Sequence, residues 1–124
     1  MDRGDELPFD GPVLVTAGAL ASVPLSRLPD VLWTVQRYLS PRLGEYRREY
    51  ECALREPDRE MFLVEPDHWV EIGGDLDLDD RTRKAVRRTH ETQLERSGST
   101  HDRREEFESA LEIRSAVVIG VDEE

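Results

Sequence analysis

A mainly α fold with a small β component is the class this sequence predicts, and three observations lead to it. Leu28, Leu32, Val35, Leu39, Leu43, Tyr46, Tyr50 and Ala53 follow one another at steps of three or four. At about 100° per residue they share one side of a helix. A second segment, 80–96, is charged throughout and opens on Asp79-Asp80, where negative charge favours a helix start. Only 61–64 (MFLV) and 116–119 (AVVI) are short apolar runs with the β-branched and aromatic character of strands. The expected architecture is a kinked long central helix, three to four shorter helices and a two-stranded sheet. It forms a single α-rich domain over 11–121, with a flexible acidic tail at 1–10 and another at 122–124.

Taken in order, 1–10 is acidic and contains Pro8, the composition of a loose end. Gly11-Pro12 opens a short helix over 13–23, for which Val13-Leu14-Val15 offers a strand as the alternative. Residues 22–24 make a turn. Ser26 or Leu28 starts the main helix, with Pro29 in its first turn and Asp30 favourable to the dipole. Pro41 falls inside the stripe, where it removes one backbone donor. Because the stripe stays in phase across it, a kinked rod running to 54 is expected, the alternative being a fresh start at Ser40. Glu56-Pro57-Asp58 ends the rod. One or two helical turns over 66–72 stop at Gly73-Gly74. Ser97-Gly98-Ser99 closes the charged helix. A last helix runs from a cap at Thr100 or Asp102 to about Ile113. Two isolated strands in a helical chain need each other, so 61–64 is paired with 116–120.

The totals bound function. The chain has 124 residues, 37% hydrophobic and 36% charged, with a formal net charge of −11. Such a surface repels nucleic acid and anionic membranes. Of 17 Lys+Arg only Lys84 is lysine. The imbalance suits a concentrated salt cytosol, where the Debye length is about 3 Å at 1 M. Cys52 is alone, which fits a reducing cytoplasm. The uncharged run 11–26 is too short to span a bilayer, and an acidic start argues against a secretion signal. No membrane association is expected.

Motifs for chemistry fail on spacing. Asp75-Leu-Asp77-Leu-Asp79 begins like a calcium loop, but the positions that need Gly and Glu hold Asp80 and Val86. His90-Glu91 begins like a zinc-protease helix, but Leu94 stands where the second His belongs. His90 is therefore read as a core histidine. Cys52 lies beside the stripe rather than at a helix start, and no Gly-x-Ser-x-Gly or phosphate loop is present. No catalytic residue, metal site or cofactor is expected, and the protein is not read as an enzyme.

Two surfaces remain. Trp33, with Val31 and Tyr38, lies off the stripe; these residues are either covered by a second element or mark a protein-binding face, since Trp is enriched at binding hot spots. Arg81, Arg83, Lys84, Arg87 and Arg88 form a basic cluster. If 66–74 and 80–96 pack as a helix–turn–helix, the cluster lies on the helix that would read DNA. The acidic whole disfavours that reading.

Segments 76–96 (LDLDDRTRKAVRRTHETQLER) and 106–119 (EFESALEIRSAVVI) resemble small haloarchaeal proteins of unknown function. The resemblance covers the last third of the chain. It implies a salt-rich cytosol and carries over no catalytic residue. The expected function is a non-enzymatic protein-binding or regulatory module, cytoplasmic, acting through a protein partner or self-association. The alternative is a helix–turn–helix-like DNA-binding regulator using 81–88.

Overall fold

The apolar stripe is helical as far as Glu49. In the computed structural model, which describes residues 7–20 and 27–121, it begins as helix α2 (Leu28–Leu39), with Pro29 in the first turn. It tightens into a single 3-10 turn (Ser40–Arg42) around Pro41 and continues as α3 (Leu43–Glu49). The 3-10 turn is how a rod accepts a residue with no amide donor without losing phase. Leu28, Leu32, Val35, Leu39 and Tyr46 are buried and Leu43 is half-buried, as an inward seam requires.

Beyond Tyr50 the chain departs from the expected rod. Residues expected as its end form strand β1 (Glu51–Glu56), which turns at Pro57-Asp58 into β2 (Arg59–Val64). Ala53 keeps the helical phase only by coincidence; strand pairing overrides a weak local preference. The sheet is therefore three-stranded and antiparallel, in the order β1-β2-β3, with β3 at Ser115–Gly120. The expected pairing of the two apolar runs holds, with Met61 opposite Val118 and Leu63 opposite Ala116. Nearly every position of β2 and β3 is buried, so both faces are covered, which is why these strands read as unbroken apolar runs.

The remaining elements are α1 (Gly11–Leu20), α4 (His68–Asp75), α5 (Asp80–Thr100) and α6 (Arg104–Ala110). Residues 11–20 are helix, not the strand alternative. The turn expected at 22–24 and the start at Ser26 lie outside the described residues. Leu7 to Asp10, expected within the loose tail, are instead docked. Phe9 is buried, and Asp10 receives Arg59 at 3.1 Å and Arg96 at 2.9 Å. The Asp10 amide also donates to Gln93 Oε1 at 2.8 Å.

Two helix ends differ from expectation for one reason. Gly73-Gly74 and Gly98 are the expected stops, yet all three glycines lie inside helices. The left-handed residues that end α4 and α5 are Asp77 (φ 58°) and Asp102 (φ 61°). In each case the next amide reaches back five residues, Leu78 to the Gly73 carbonyl at 2.8 Å and Arg103 to the Gly98 carbonyl at 2.6 Å, which is a Schellman closure. Aspartate tolerates the left-handed region better than most residues. Asp79 then caps α5, its Oδ1 accepting from the Thr82 amide at 2.8 Å. The last helix starts at Arg104 and stops at Ala110, shorter than the expected 100–113.

Gly98 serves close approach instead. A Cβ there would sit 2.5 Å from Phe107 Cδ2, a core ring of α6. Gly98→Ala is expected to destabilise the domain by about 1–3 kcal/mol through overpacking, although alanine is the better helix former by about 1 kcal/mol. Urea denaturation of the two proteins decides the sign; a more stable variant would mean that α6 moves aside freely.

Candidate functional site

The outer edge of β3 is buried rather than open, and side chains satisfy it. Trp69 Nε1 donates to the Ala116 carbonyl at 3.2 Å. The Val118 amide donates to His90 Nδ1 at 2.8 Å. Gln36 completes the row: its Nε2 donates to the Val118 carbonyl at 2.8 Å, and its Oε1 accepts from the Gly120 amide at 3.0 Å. A primary amide carries the same donor and acceptor as a peptide unit, so Gln36 stands in for a neighbouring strand. Its place at the edge of the apolar stripe of α2 is the available sequence signal.

His90 is the core histidine that the sequence suggested. It is fully buried between the rings of Phe9 and Trp69, at centroid distances of 4.9 and 4.6 Å. Because Nδ1 accepts, the proton resides on Nε2, which has no hydrogen-bond partner among the described residues. Burial pushes the imidazole down to about 3.

A second histidine sits among tyrosines. His68 Nε2 is 2.5 Å from the hydroxyl of buried Tyr46, and the Tyr50 ring lies 5.2 Å from the imidazole. Burial raises the Tyr46 phenol and lowers His68, so both are neutral at pH 7. A neutral imidazole held by a neutral phenol is a packing device between α3 and α4.

The predicted protein-binding residues lie on α2. Val31 and Tyr38 are half-buried against the core, and Trp33 is half-buried too. Tyr38 donates to Asp75 at 2.5 Å, and Arg42 stacks 3.8 Å over its ring. In the predicted basic cluster, Arg83 pairs with Asp80 at 3.0 Å and Arg87 with Glu91 at 2.9 Å, while Arg81, Lys84 and Arg88 are exposed. Helices α4 and α5 follow one another, joined by residues 76–79, and pack in contact. Asp75, Asp77, Asp79 and Asp80 crowd the same turn. Cys52, expected beside a helical stripe, lies exposed on β1.

Two concavities were not foreseen. A cleft of about 250 Å³ lies where α1, α5 and α6 meet, and Glu95 lines it with Arg96 and Arg104. A groove of about 190 Å³ separates α6 from β1; its lining includes Ala53, Leu63, Phe107, Ala110 and Ile113. Neither is visible in sequence, because each joins residues from separate elements. Among the described residues no group of three or more His, Cys, Asp or Glu side chains converges as a metal site would require. No helix among them is long and apolar enough to cross a membrane.

A family model, a domain of unknown function designated DUF8048, matches residues 7–121, and the chain belongs to that family. Among curated proteins and among solved structures, nothing matches it.

The burial of His90 fixes an acid response. An unfolded histidine titrates near ~6.5, so between there and about 3 the unfolded chain binds the extra proton. Stability is therefore full above pH ~6.5 and is lost as pH falls. From pH ~6.5 to ~5 the denaturation free energy is expected to drop by about 2 kcal/mol, with a shallower fall in His90→Gln. A flat profile, or an identical one in the variant, would contradict the assignment.

Proposed function

We propose that the domain is a non-enzymatic protein-binding module, and that the groove between α6 and β1 is its contact. One observation carries this: Ile113 is 72% exposed at the lip of an apolar floor of buried Ala53, Leu63 and Phe107 and half-buried Ala110. Glu51, Glu106 and Arg114 ring that floor. An apolar centre inside a charged rim is the anatomy of a protein interface. The groove has room for an apolar anchor side chain from a partner. Trp33, Val31 and Tyr38 on α2 provide a second, smaller contact.

The acidic composition supports a salt-rich cytosol as the setting. There the repulsion of a −11 chain is screened within about 3 Å at 1 M salt. Apolar burial, strengthened by excluded salts, is then the force left to drive association. A non-enzymatic reading is supported by His90, sealed in the core with Nδ1 on the Val118 amide, and by His68, held against the hydroxyl of buried Tyr46.

A second reading, DNA binding through α4 and α5, is favoured by their succession across the short connection 76–79 and by exposed Arg81, Lys84 and Arg88. The four aspartates at the turn oppose it. Fluorescence anisotropy on duplex DNA at moderate salt tests it: binding lost when these three become Ala supports DNA reading, and no binding retires it.

For the primary reading, a photo-reactive residue placed at 113 in the producing cell is expected to give a discrete protein adduct, suppressed by Ala110→Asp. The same residue at Val15, exposed by 69% but outside the groove, is expected to give none. No adduct from 113, or equal adducts from both positions, would end the proposal.

A further inference from the structure

We infer that the cleft between α1, α5 and α6 binds an alkylammonium group against the carboxylate of Glu95. The cleft holds one charge that no neighbour matches. Arg96 is taken by Asp10 at 2.9 Å. Arg104 is taken by Glu108 at 2.7 Å and by the Ser99 hydroxyl at 3.0 Å. Glu91, one turn away on α5, receives Arg87 at 2.9 Å and the Ser115 hydroxyl at 2.6 Å. Glu95 is left half-buried, with no hydrogen bond or ion pair to any described residue. A carboxylate taken from water without a partner is costly. Its burial, reinforced by Glu108 and Glu91, lifts its proton affinity despite the pull of Arg104.

The walls define what would relieve that cost. Thr16 and Thr92, which carry hydroxyls, line the same cleft, and Pro12 and Val13 give it an apolar side. An ammonium head has three donors and no acceptor, which matches one carboxylate among hydroxyls. The apolar side suits a short methylene chain. A divalent metal would want several oxygen ligands, and one carboxylate does not supply them. An anion would need the two arginines, which are already engaged. The head group can arrive on a free small amine or on a lysine side chain of a partner.

The test is a pair of titrations followed by amide NMR at constant ionic strength, one with n-butylammonium chloride and one with Nα-acetyl-lysine methylamide. Saturable shifts confined to residues 12–16, 92–99 and 104 are expected. Affinity should fall about tenfold or more in Glu95→Gln, the loss of one charge partner, and stay unchanged in Glu112→Gln. Saturation by butylammonium identifies a free amine as sufficient; saturation by the lysine derivative alone identifies a partner's side chain. Saturation by neither probe overturns the proposal. So does equal affinity in Glu95→Gln, or the same shifts with tetramethylammonium, which has no N–H to donate.

Discussion

A buried strand edge has to find partners for its backbone, and in this fold that requirement decides where the helices go. Among the described residues, strand β3 pairs with β2 on one side only. Its other side carries the Ala116 and Val118 carbonyls and the Val118 and Gly120 amides into the interior. A buried peptide group left unmatched costs roughly 1–3 kcal/mol. Three polar side chains remove that cost, one from each of α2, α4 and α5. Helix positions that pack loosely against a sheet would suit many registers; helices that must deliver an indole, an imidazole and an amide to successive peptide groups suit one.

The same logic closes the other edge by different means. β1 is irregular between Cys52 and Leu54. Arg103 donates to the Ala53 carbonyl at 2.9 Å, and the strand carries Glu51, Arg55 and Glu56. Irregularity and charge are the usual protections of an exposed strand. With both edges closed, the concavities of the surface lie among helices and between α6 and β1. Asp10 ties these parts together from the N-terminal side, since it binds α5 through Gln93 and Arg96 and the β1–β2 hairpin through Arg59.

Much of this architecture could be read from spacing. The stripe from Leu28 to Tyr46 and the pairing of 61–64 with 116–119 both follow from period and composition, because apolar burial sets them locally. What failed was punctuation. Glycine reads in the sequence as the mark of a helix end, yet Gly98 is needed for the approach of Phe107 and aspartates occupy the left-handed positions. β1 escaped because its residues continue the helical phase and only the neighbouring strand overrules it. The candidate sites were less legible still. Gln36 could be noticed as a polar residue on an apolar face. Glu95 could not, since its isolation exists only once Arg96 has found Asp10, 86 residues away.

Amide hydrogen exchange along β3 tests the central claim most directly. Strand alternation turns the Val117 and Ile119 amides toward β2 and the Val118 and Gly120 amides away from it. If side chains replace a fourth strand, all four amides exchange at comparably slow rates, and Gln36→Met, which keeps the bulk without the amide, releases Gly120 first. Val118 and Gly120 exchanging in the wild type at the rate of solvent-exposed amides would show that the edge is open and that the helices are positioned by something else.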